Sequence, residues 1–350
     1  MPPSSLHVQE SRGAGISRCT LRARRAGDAL PAQLLVDRLF SGGAKLGAET
    51  PVCVRSKSFE GTAPSRRSLA KRRDGLCETQ CMTGMVPQLP LRLTGPGGSI
   101  RTPWSWFAEA PPKDGERHWK DGRSALELAR AWCRSSQPQP PAEFLEALGN
   151  HPDTAGFTAW DAVAELVTPL PLPGEGRNHD LAVVGVTGGI PTFVGVEAKA
   201  GEPFGDRTIR QYWMEKFGSK SNVPARIAAL VDVVFGAKVP LTSTCEVPDG
   251  LGDRGYQLLT AAAGTMLEAR RRHCRRAVLL VHEFRPSVPT AFLSDALELA
   301  QVDLDAFAAL LLGKPSAAIS SGTIVGPASR IGGAFAGVQL YVGKCVTSVD

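Results

Sequence analysis

The sequence predicts an α/β domain in which helices flank a mixed central sheet. Amphipathic stretches, with apolar residues three or four positions apart, alternate with short apolar runs of strand length. Two of these runs follow each other directly around a Gly-Gly pair, which predicts a hairpin. Because a hairpin is antiparallel and strands joined through helices are commonly parallel, the sheet is expected to contain both arrangements.

The helices are predicted from apolar spacing and from the Pro- and Gly-rich stretches that separate them. In the stretch 158–167, Trp160, Val163, Ala164 and Val167 fall on one helical face, and Glu165 lies off that face. We expect helices at about 123–133, 142–148, 158–167, 206–217, 222–235, 255–272 and 295–311.

The strands are predicted from short runs rich in Val, Leu and Phe. The hairpin lies within 179–202, and its two apolar arms give two strands. The run RAVLLVHEF at 276–284 is typical of a strand buried on both faces, and GVQLYVGKCVT at 337–347 predicts a last strand. The expected order is therefore helices, two strands, helices, a strand, a helix and a strand.

The hairpin is expected to bring two acids and a lysine to one face of the sheet. With the turn centred between Gly188 and Gly189, Asp180 pairs with Glu197 across the two strands. Lys199 is two residues beyond Glu197 and so points to the same side. Adjacent carboxylates repel each other, and oxygen ligands at this spacing suit Mg²⁺ or Mn²⁺.

Such a metal site suits the hydrolysis of phosphodiesters. The cation would polarise a phosphoryl oxygen and activate a water, and Lys199 would hold that water or balance the developing negative charge. The alternative is a solvated edge on which Asp180, Glu197 and Lys199 have no chemical role. The apolar strand before the acids and the helix expected after them favour the metal site.

Five other residues are candidates for the same site, each with a solvated or structural role as the alternative. Glu165 is a candidate third acid. Arg207 and Arg210 follow the hairpin and are placed to contact phosphates. Arg254 and Gln257 lie at the start of the helix at 255–272, where a helix N-terminus helps to bind phosphate.

Residues 1–86 differ from the rest of the chain in charge and pattern. The 350 residues carry a net charge of +6, whereas residues 1–86 hold 14 Lys or Arg and 7 Asp or Glu, a net of +7. The remaining residues therefore total −1. Without a sustained amphipathic pattern, residues 1–86 are expected to be disordered, and the domain to span 87–350.

Three interpretations of the segment 1–86 stay open. It is a basic tail that contacts nucleic acid, an Arg- and Ser-rich transit peptide, or a stretch upstream of a true start at Met82 or Met85. We favour the last, because propensity and pattern do not agree on any structure there.

The composition also bears on localisation and partners. The eight cysteines are scattered without the paired spacing of a zinc ribbon, and no apolar run approaches the length of a membrane span. We therefore expect a cytoplasmic protein with reduced thiols and no contact with a membrane. The charge of −1 beyond residue 86 means that any contact with nucleic acid is local. A homodimer or a partner protein would then supply specificity.

The acids and the lysine are spaced as in a known superfamily. Asp180, followed seventeen residues later by Glu197-Ala198-Lys199, resembles the D…(D/E)xK signature of the PD-(D/E)XK nucleases, which have the restriction-endonuclease-like fold. The core of that fold runs helix, three-strand meander, helix, strand. The stretches HWKDGRSALELARAW, VGVEAKAGEPFG, YQLLTAAAGT and VHEF are also similar to an uncharacterised bacterial set of this fold. His179 departs from the proline that names the signature.

The resemblance implies a Mg²⁺-dependent (or Mn²⁺-dependent) nuclease acting on DNA. It implies that Asp180 and Glu197 are metal ligands, that Lys199 is the catalytic lysine, and that Glu165 is a further acid on the first core helix. The superfamily also contains members that do not cleave. The alternative is therefore an inactive module of the nuclease fold that binds nucleic acid or a protein partner.

Overall fold

The computed structural model describes residues 90–349, except 289, 316 and 330. These residues belong to one unit, Leu76–Asp350. The basic segment at 1–86 lies outside the described residues, and its disorder stays a prediction.

Seven α-helices and seven β-strands form the described part of the chain. The helices are α1 (Pro103–Glu109), α2 (Ser124–Trp132), α3 (Ala142–Gly149), α4 (Ile209–Lys216), α5 (Val223–Phe235), α6 (Tyr256–Arg271) and α7 (Ala291–Leu312). The strands are β1 (Arg92–Thr94), β2 (Thr158–Thr168), β3 (Arg177–Thr187), β4 (Ile190–Lys199), β5 (Arg276–Pro286), β6 (Thr323–Val325) and β7 (Gln339–Val349). The sequence did not predict α1, β1 or β6.

The strands form one mixed sheet in the order β1-β2-β3-β4-β5-β7-β6. Strands β2, β3 and β4 make an antiparallel meander, and β5 and β7 run parallel to β4. Helices α4, α5 and α6 lie between β4 and β5 in the chain, as a crossover between parallel neighbours requires. The prediction of an α/β fold with a mixed central sheet is confirmed.

Helices cover both faces of the central strands. On β3, Leu181 and Val183 belong to an apolar cluster that includes residues of α2 and α3. Their neighbours Ala182 and Val184 belong to a second cluster built with α4, α5, α6 and α7. Because both faces are buried, the central strands read as continuous apolar runs in the sequence.

The predicted helix at 158–167 is wrong, since Thr158–Thr168 forms strand β2. Two members of the supposed apolar stripe are well exposed, Trp160 at 39% and Val167 at 58%. The residues that the strand buries are the small Ala162 and Ala164, which are fully enclosed. The helical spacing of the large apolar residues was therefore coincidental.

Two local irregularities hide the strand pattern of β2. Its register against β3 shifts between Ala159 and Asp161, and Glu165 has a left-handed backbone with φ of 53°. Either feature interrupts the alternation of inward and outward side chains that marks a strand. Glu165 therefore lies on the first strand of the meander and not on a helix.

In the described part of the chain, no helix has both the length and the apolar character needed to span a membrane.

Candidate functional site

The hairpin of β3 and β4 has the predicted register. Gly188 and Gly189 form its two-residue turn with φ values of 54° and 80°, which residues with a side chain rarely adopt. Leu181 pairs with Val196 near the open end of the hairpin. This is the register that places Asp180 across from the acid of β4.

Three carboxylates lie in a row across β2, β3 and β4. The register of β3 with β4, extended by one residue, places Glu197 beside Asp180, and the register of β2 with β3 places Glu165 on its other side. The Asp180 carboxylate accepts a hydrogen bond of 2.7 Å from the amide of Ala198. Neighbouring strands are about 5 Å apart. We call Glu165, Asp180 and Glu197 the carboxylate row.

Two cationic side chains hold Glu197. The guanidinium of Arg177 pairs with its Oε2 atom, and Lys199 Nζ lies 3.1 Å from its Oε1 atom. Gln257, at the start of α6, donates from Nε2 to Glu197 Oε1 and accepts at Oε1 from Lys199 Nζ at 3.0 Å. Glu197 and Lys199 are only 2% and 6% exposed. The predicted acid and lysine of β4 are therefore together, but nearly enclosed.

Burial shifts the pKa values in this region towards the neutral forms. It raises the pKa of Glu165 to about 7, and the charge of Asp180 adds to this shift. Burial also raises the pKa of Asp180, against the opposing charge of Arg177, and lowers the pKa of Lys199 to about 8. The Glu165 carboxyl therefore keeps its proton to a higher pH than a free carboxyl, and Lys199 remains mostly charged at neutral pH.

Two residues that the sequence analysis missed complete the site. Arg177 stands three positions before Asp180, at the start of β3. Glu202 follows β4, accepts hydrogen bonds from the Ala200 amide at 2.5 Å and from Ser124 Oγ at 3.3 Å, and acts on the pKa of Asp180 through its charge. Their closeness in sequence to the motif was the available signal.

Acidic groups outnumber cationic groups in the site. The acids are Glu165, Asp180, Glu197 and Glu202, and the cations are Arg177 and Lys199. An excess of buried negative charge is relieved by proton uptake or by a bound cation. The raised pKa of Glu165 corresponds to the first of these two solutions.

The carboxylate oxygens are suitable ligands for a hard divalent cation, but their arrangement in this structure does not form a metal site. Carboxylate oxygens are the ligands that Mg²⁺ and Mn²⁺ prefer. Among the described residues, however, no group of three or more His, Cys, Asp and Glu side chains is arranged to hold a metal ion. Both oxygens of Glu197 are engaged by Arg177, Lys199 and Gln257. A cation shared by Asp180 and Glu197 therefore requires Arg177 to withdraw.

A cleft of about 700 Å³ adjoins the carboxylate row. Arg177, Asn178 and Gln257 line it, and each of them contacts an acid of the row. Arg207, predicted as a phosphate contact, also lines this cleft and pairs with Glu215 at 3.2 Å. Two of the four predicted nucleic-acid contacts, Arg207 and Gln257, therefore line this cleft, and Gln257 also contacts the row.

The other two predicted contacts have acidic partners away from the lining of this cleft. Arg210 lies 3.4 Å from Asp253 in an exposed pair. Arg254 pairs with Asp303 at 3.2 Å, with about a fifth of each side chain exposed. Asp303 also accepts from the Gly255 amide, so Arg254 takes part in fixing the start of α6 to α7.

A family model described as a domain of unknown function, DUF6946, matches residues 99–349. Searches of curated proteins and of solved structures give no significant match.

Proposed function

We propose that this chain, which belongs to the DUF6946 family of unknown function, hydrolyses phosphodiester bonds in DNA with the help of Mg²⁺ or Mn²⁺. The observation that carries the proposal is the carboxylate row with a lysine at its end. Asp180 and Glu197 are neighbours on β3 and β4, Glu165 continues the row on β2, and Lys199 Nζ is 3.1 Å from Glu197. Paired acids with a lysine are suited to phosphoryl chemistry.

The order of elements around the row supports the proposal. Helices α1 to α3 precede the meander β2-β3-β4, helices α4 to α6 follow it, and β5 then runs parallel to β4. The core of the restriction-endonuclease-like fold has this order of helix, meander, helix and strand. We therefore propose that the domain has this core, with the acids on the second and third strands of the meander.

The residues have distinct roles in the proposed reaction. Asp180, Glu197 and Glu165 would hold the cation through their carboxylate oxygens. When bound, such a cation would polarise a phosphoryl oxygen and make a water more acidic. Lys199, mostly charged at neutral pH, orients the attacking water or balances the charge that develops on the phosphoryl oxygens. Gln257 holds Lys199 and Glu197 in position.

Arg177 favours a second candidate function, an inactive nuclease-fold module that binds nucleic acid or a partner protein. Its guanidinium is bound to Glu197 Oε2, and both side chains are more than nine-tenths buried. If this pair is permanent, Glu197 is not free to bind a metal. The second candidate therefore predicts neither cleavage nor metal binding at the row.

Plasmid nicking by the full-length chain tests the proposal. We expect supercoiled plasmid to be nicked with Mg²⁺ and not with EDTA, and nicking to be lost in Lys199→Ala. The exposed Lys314 provides the matched control, since Lys314→Ala removes a lysine remote from the row in sequence and should nick normally. Nicking that survives Lys199→Ala would refute the proposed mechanism. A complete lack of nicking by the wild-type chain would favour the inactive module.

A further inference from the structure

The cleft beside the carboxylate row is richer in positive than in negative side chains. Its lining holds four cationic residues, Lys113, Arg177, Arg207 and Arg226, and two acidic residues, Glu175 and Asp206. Its volume of about 700 Å³ is within the range of sites that enclose small organic ligands. The cleft therefore has the size and the charge to take an anionic ligand.

Arg226, on α5, is a buried cation without a carboxylate partner, and its side chain also hydrogen-bonds the Tyr256 hydroxyl. Arg226 is 8% exposed and forms no ion pair with any carboxylate of the described residues. Its terminal nitrogens donate to the backbone carbonyls of Glu175 at 2.9 Å and Leu172 at 3.1 Å. Its Nε atom has no hydrogen-bond partner among the residues that the structure describes. A buried charge in this state is stabilised by an anion that enters the cleft.

Two further buried atoms in the lining lack a partner. Arg177 Nε and Asn178 Oδ1 are enclosed and form no hydrogen bond within the described part of the chain. Buried polar groups are otherwise nearly always paired in folded proteins. Arginine donors bind phosphate oxygens, and a ligand with a donor of its own would satisfy the Asn178 acceptor. The lining therefore favours a ligand that has both a phosphate and a hydrogen-bond donor.

The cleft also offers aromatic rings to a ligand. Tyr212 and Tyr256 line it, with ring centroids 4.9 Å apart and the planes at 64°. The guanidinium of Arg207 lies 5.3 Å from the centre of the Tyr212 ring, which is partly exposed. Partly exposed tyrosines beside cations are a common surface for stacking bases of single strands.

We propose that this cleft binds one nucleotide of a nucleic-acid strand, with the phosphate on Arg226 and Arg177 and the base against Tyr212. Because Arg177, Asn178 and Gln257 belong to both the cleft and the surroundings of the carboxylate row, the bound nucleotide lies next to the bond to be cut. The inference rests on the proposed function for the source of the nucleotide. Binding itself requires neither the metal nor cleavage.

Fluorescence anisotropy in EDTA tests binding alone. The full-length chain is titrated onto a labelled dT oligomer of six nucleotides that carries a 5′ phosphate. We expect saturable binding that is about 10- to 100-fold weaker in Arg226→Gln, because a buried charge-assisted contact is lost. The matched control is Arg134→Gln, an arginine outside the cleft lining, which should change binding less than about twofold.

Because Arg226 also donates to two backbone carbonyls, Arg226→Gln could weaken binding through a folding defect. A second variant separates these two causes. Tyr212→Ala leaves those hydrogen bonds intact and should weaken binding while thermal unfolding stays close to that of the wild type. Competition separates the sources of phosphate, since dTMP should displace the oligomer better than inorganic phosphate. Equal displacement would overturn the nucleotide assignment, and so would wild-type affinity in both Arg226→Gln and Tyr212→Ala.

The same assay separates this inference from the proposed function. A chain that cleaves plasmid but shows no saturable binding in EDTA refutes the cleft assignment alone. Binding that depends on Arg226 without any cleavage leaves the cleft assignment standing and refutes the nuclease.

Discussion

Two groups of buried charged side chains lie on neighbouring strands of the same sheet. They differ in the ratio of acidic to cationic side chains and in whether a cleft adjoins them. The first surrounds the carboxylate row. The second lies on β5 and β7, where Glu283 pairs with Lys344 at 2.7 Å and with Arg285. The two groups meet at the register partners Lys199 and Glu283.

The second group is closed and has no excess of acid. Its single acid, Glu283, has two cationic partners, and Lys344 Nζ also donates to Gln301. Leu297 and Leu304 of α7 pack beside it. The first group instead has excess acid and an adjoining cleft of about 700 Å³. Buried charge alone therefore does not indicate a site, whereas excess charge next to a cleft with unpaired polar atoms does.

The largest expected effect comes from removing the lysine of the first group. Lys199→Met should lower the rate of DNA cleavage with Mg²⁺ by about 100- to 1,000-fold, because the developing charge loses its cationic partner. Single-turnover rates on a plasmid measure this effect, with Lys314→Met as the control. A rate within about threefold of the wild type would contradict the role given to Lys199.

Removing the lysine of the second group should act on stability and not on chemistry. Lys344→Met leaves the buried Glu283 with only the half-exposed Arg285, and should lower the free energy of unfolding by about 3 kcal/mol. Urea unfolding measures the loss. Cleavage per folded molecule should stay at the level of the wild type, and a selective loss of cleavage would abolish the contrast between the groups.

The third prediction concerns pH. The pKa of Glu165 is raised from 4.5 to about 7 in the folded chain, so the folded state binds more protons than the unfolded state between these values. The free energy of unfolding therefore falls as pH rises through this window. Glu165→Gln should reduce this fall by about 2 kcal/mol between pH 5 and pH 8, measured by urea unfolding in EDTA. An unchanged pH dependence would show that Glu165 is not buried beside Asp180.

The fourth prediction concerns Arg177, whose removal should strengthen metal binding, and the expected effect is smaller. Arg177→Gln releases Glu197 Oε2 and should tighten Mn²⁺ binding by about tenfold, or about 1.4 kcal/mol. Isothermal titration calorimetry measures the affinity, with Arg134→Gln as the matched loss of one positive charge. Weaker Mn²⁺ binding in Arg177→Gln would indicate that the guanidinium supports the metal site and does not compete with it.

The smallest effect is expected at Arg210. Its pair with Asp253 is exposed and 3.4 Å long, so Arg210→Gln should change the free energy of unfolding by less than about 0.5 kcal/mol. Oligomer binding should also change little, because Arg210 does not line the cleft. A large loss of affinity would extend the nucleic-acid surface beyond the cleft.

The sequence best predicted the features that depend on residues close together in the chain. The register of the hairpin depends on the turn at Gly188 and Gly189, which is local, and it was predicted correctly. The mixed sheet also followed from the order of apolar runs. Glu165 was assigned to a helix because a register shift and its own left-handed backbone removed the strand alternation.

The contacts that other side chains make with the acids could not be predicted from the sequence. Gln257 was predicted to contact phosphate, but the packing of α6 against the sheet brings it onto Glu197 and Lys199. Arg177 lies outside the predicted hairpin at 179–202, and only the folded chain places its guanidinium on Glu197. Contacts between residues that are distant in the chain depend on the tertiary fold, which has no short-range signal.

The central claim is that the carboxylate row binds a divalent cation. The most direct measurement is anomalous diffraction from crystals of the full-length chain soaked in Mn²⁺. We expect a peak bonded to Asp180 and Glu197, with the Arg177 guanidinium withdrawn from Glu197. A saturated soak without a peak at the row, and with Arg177 still on Glu197, would contradict metal binding there and support an inactive module.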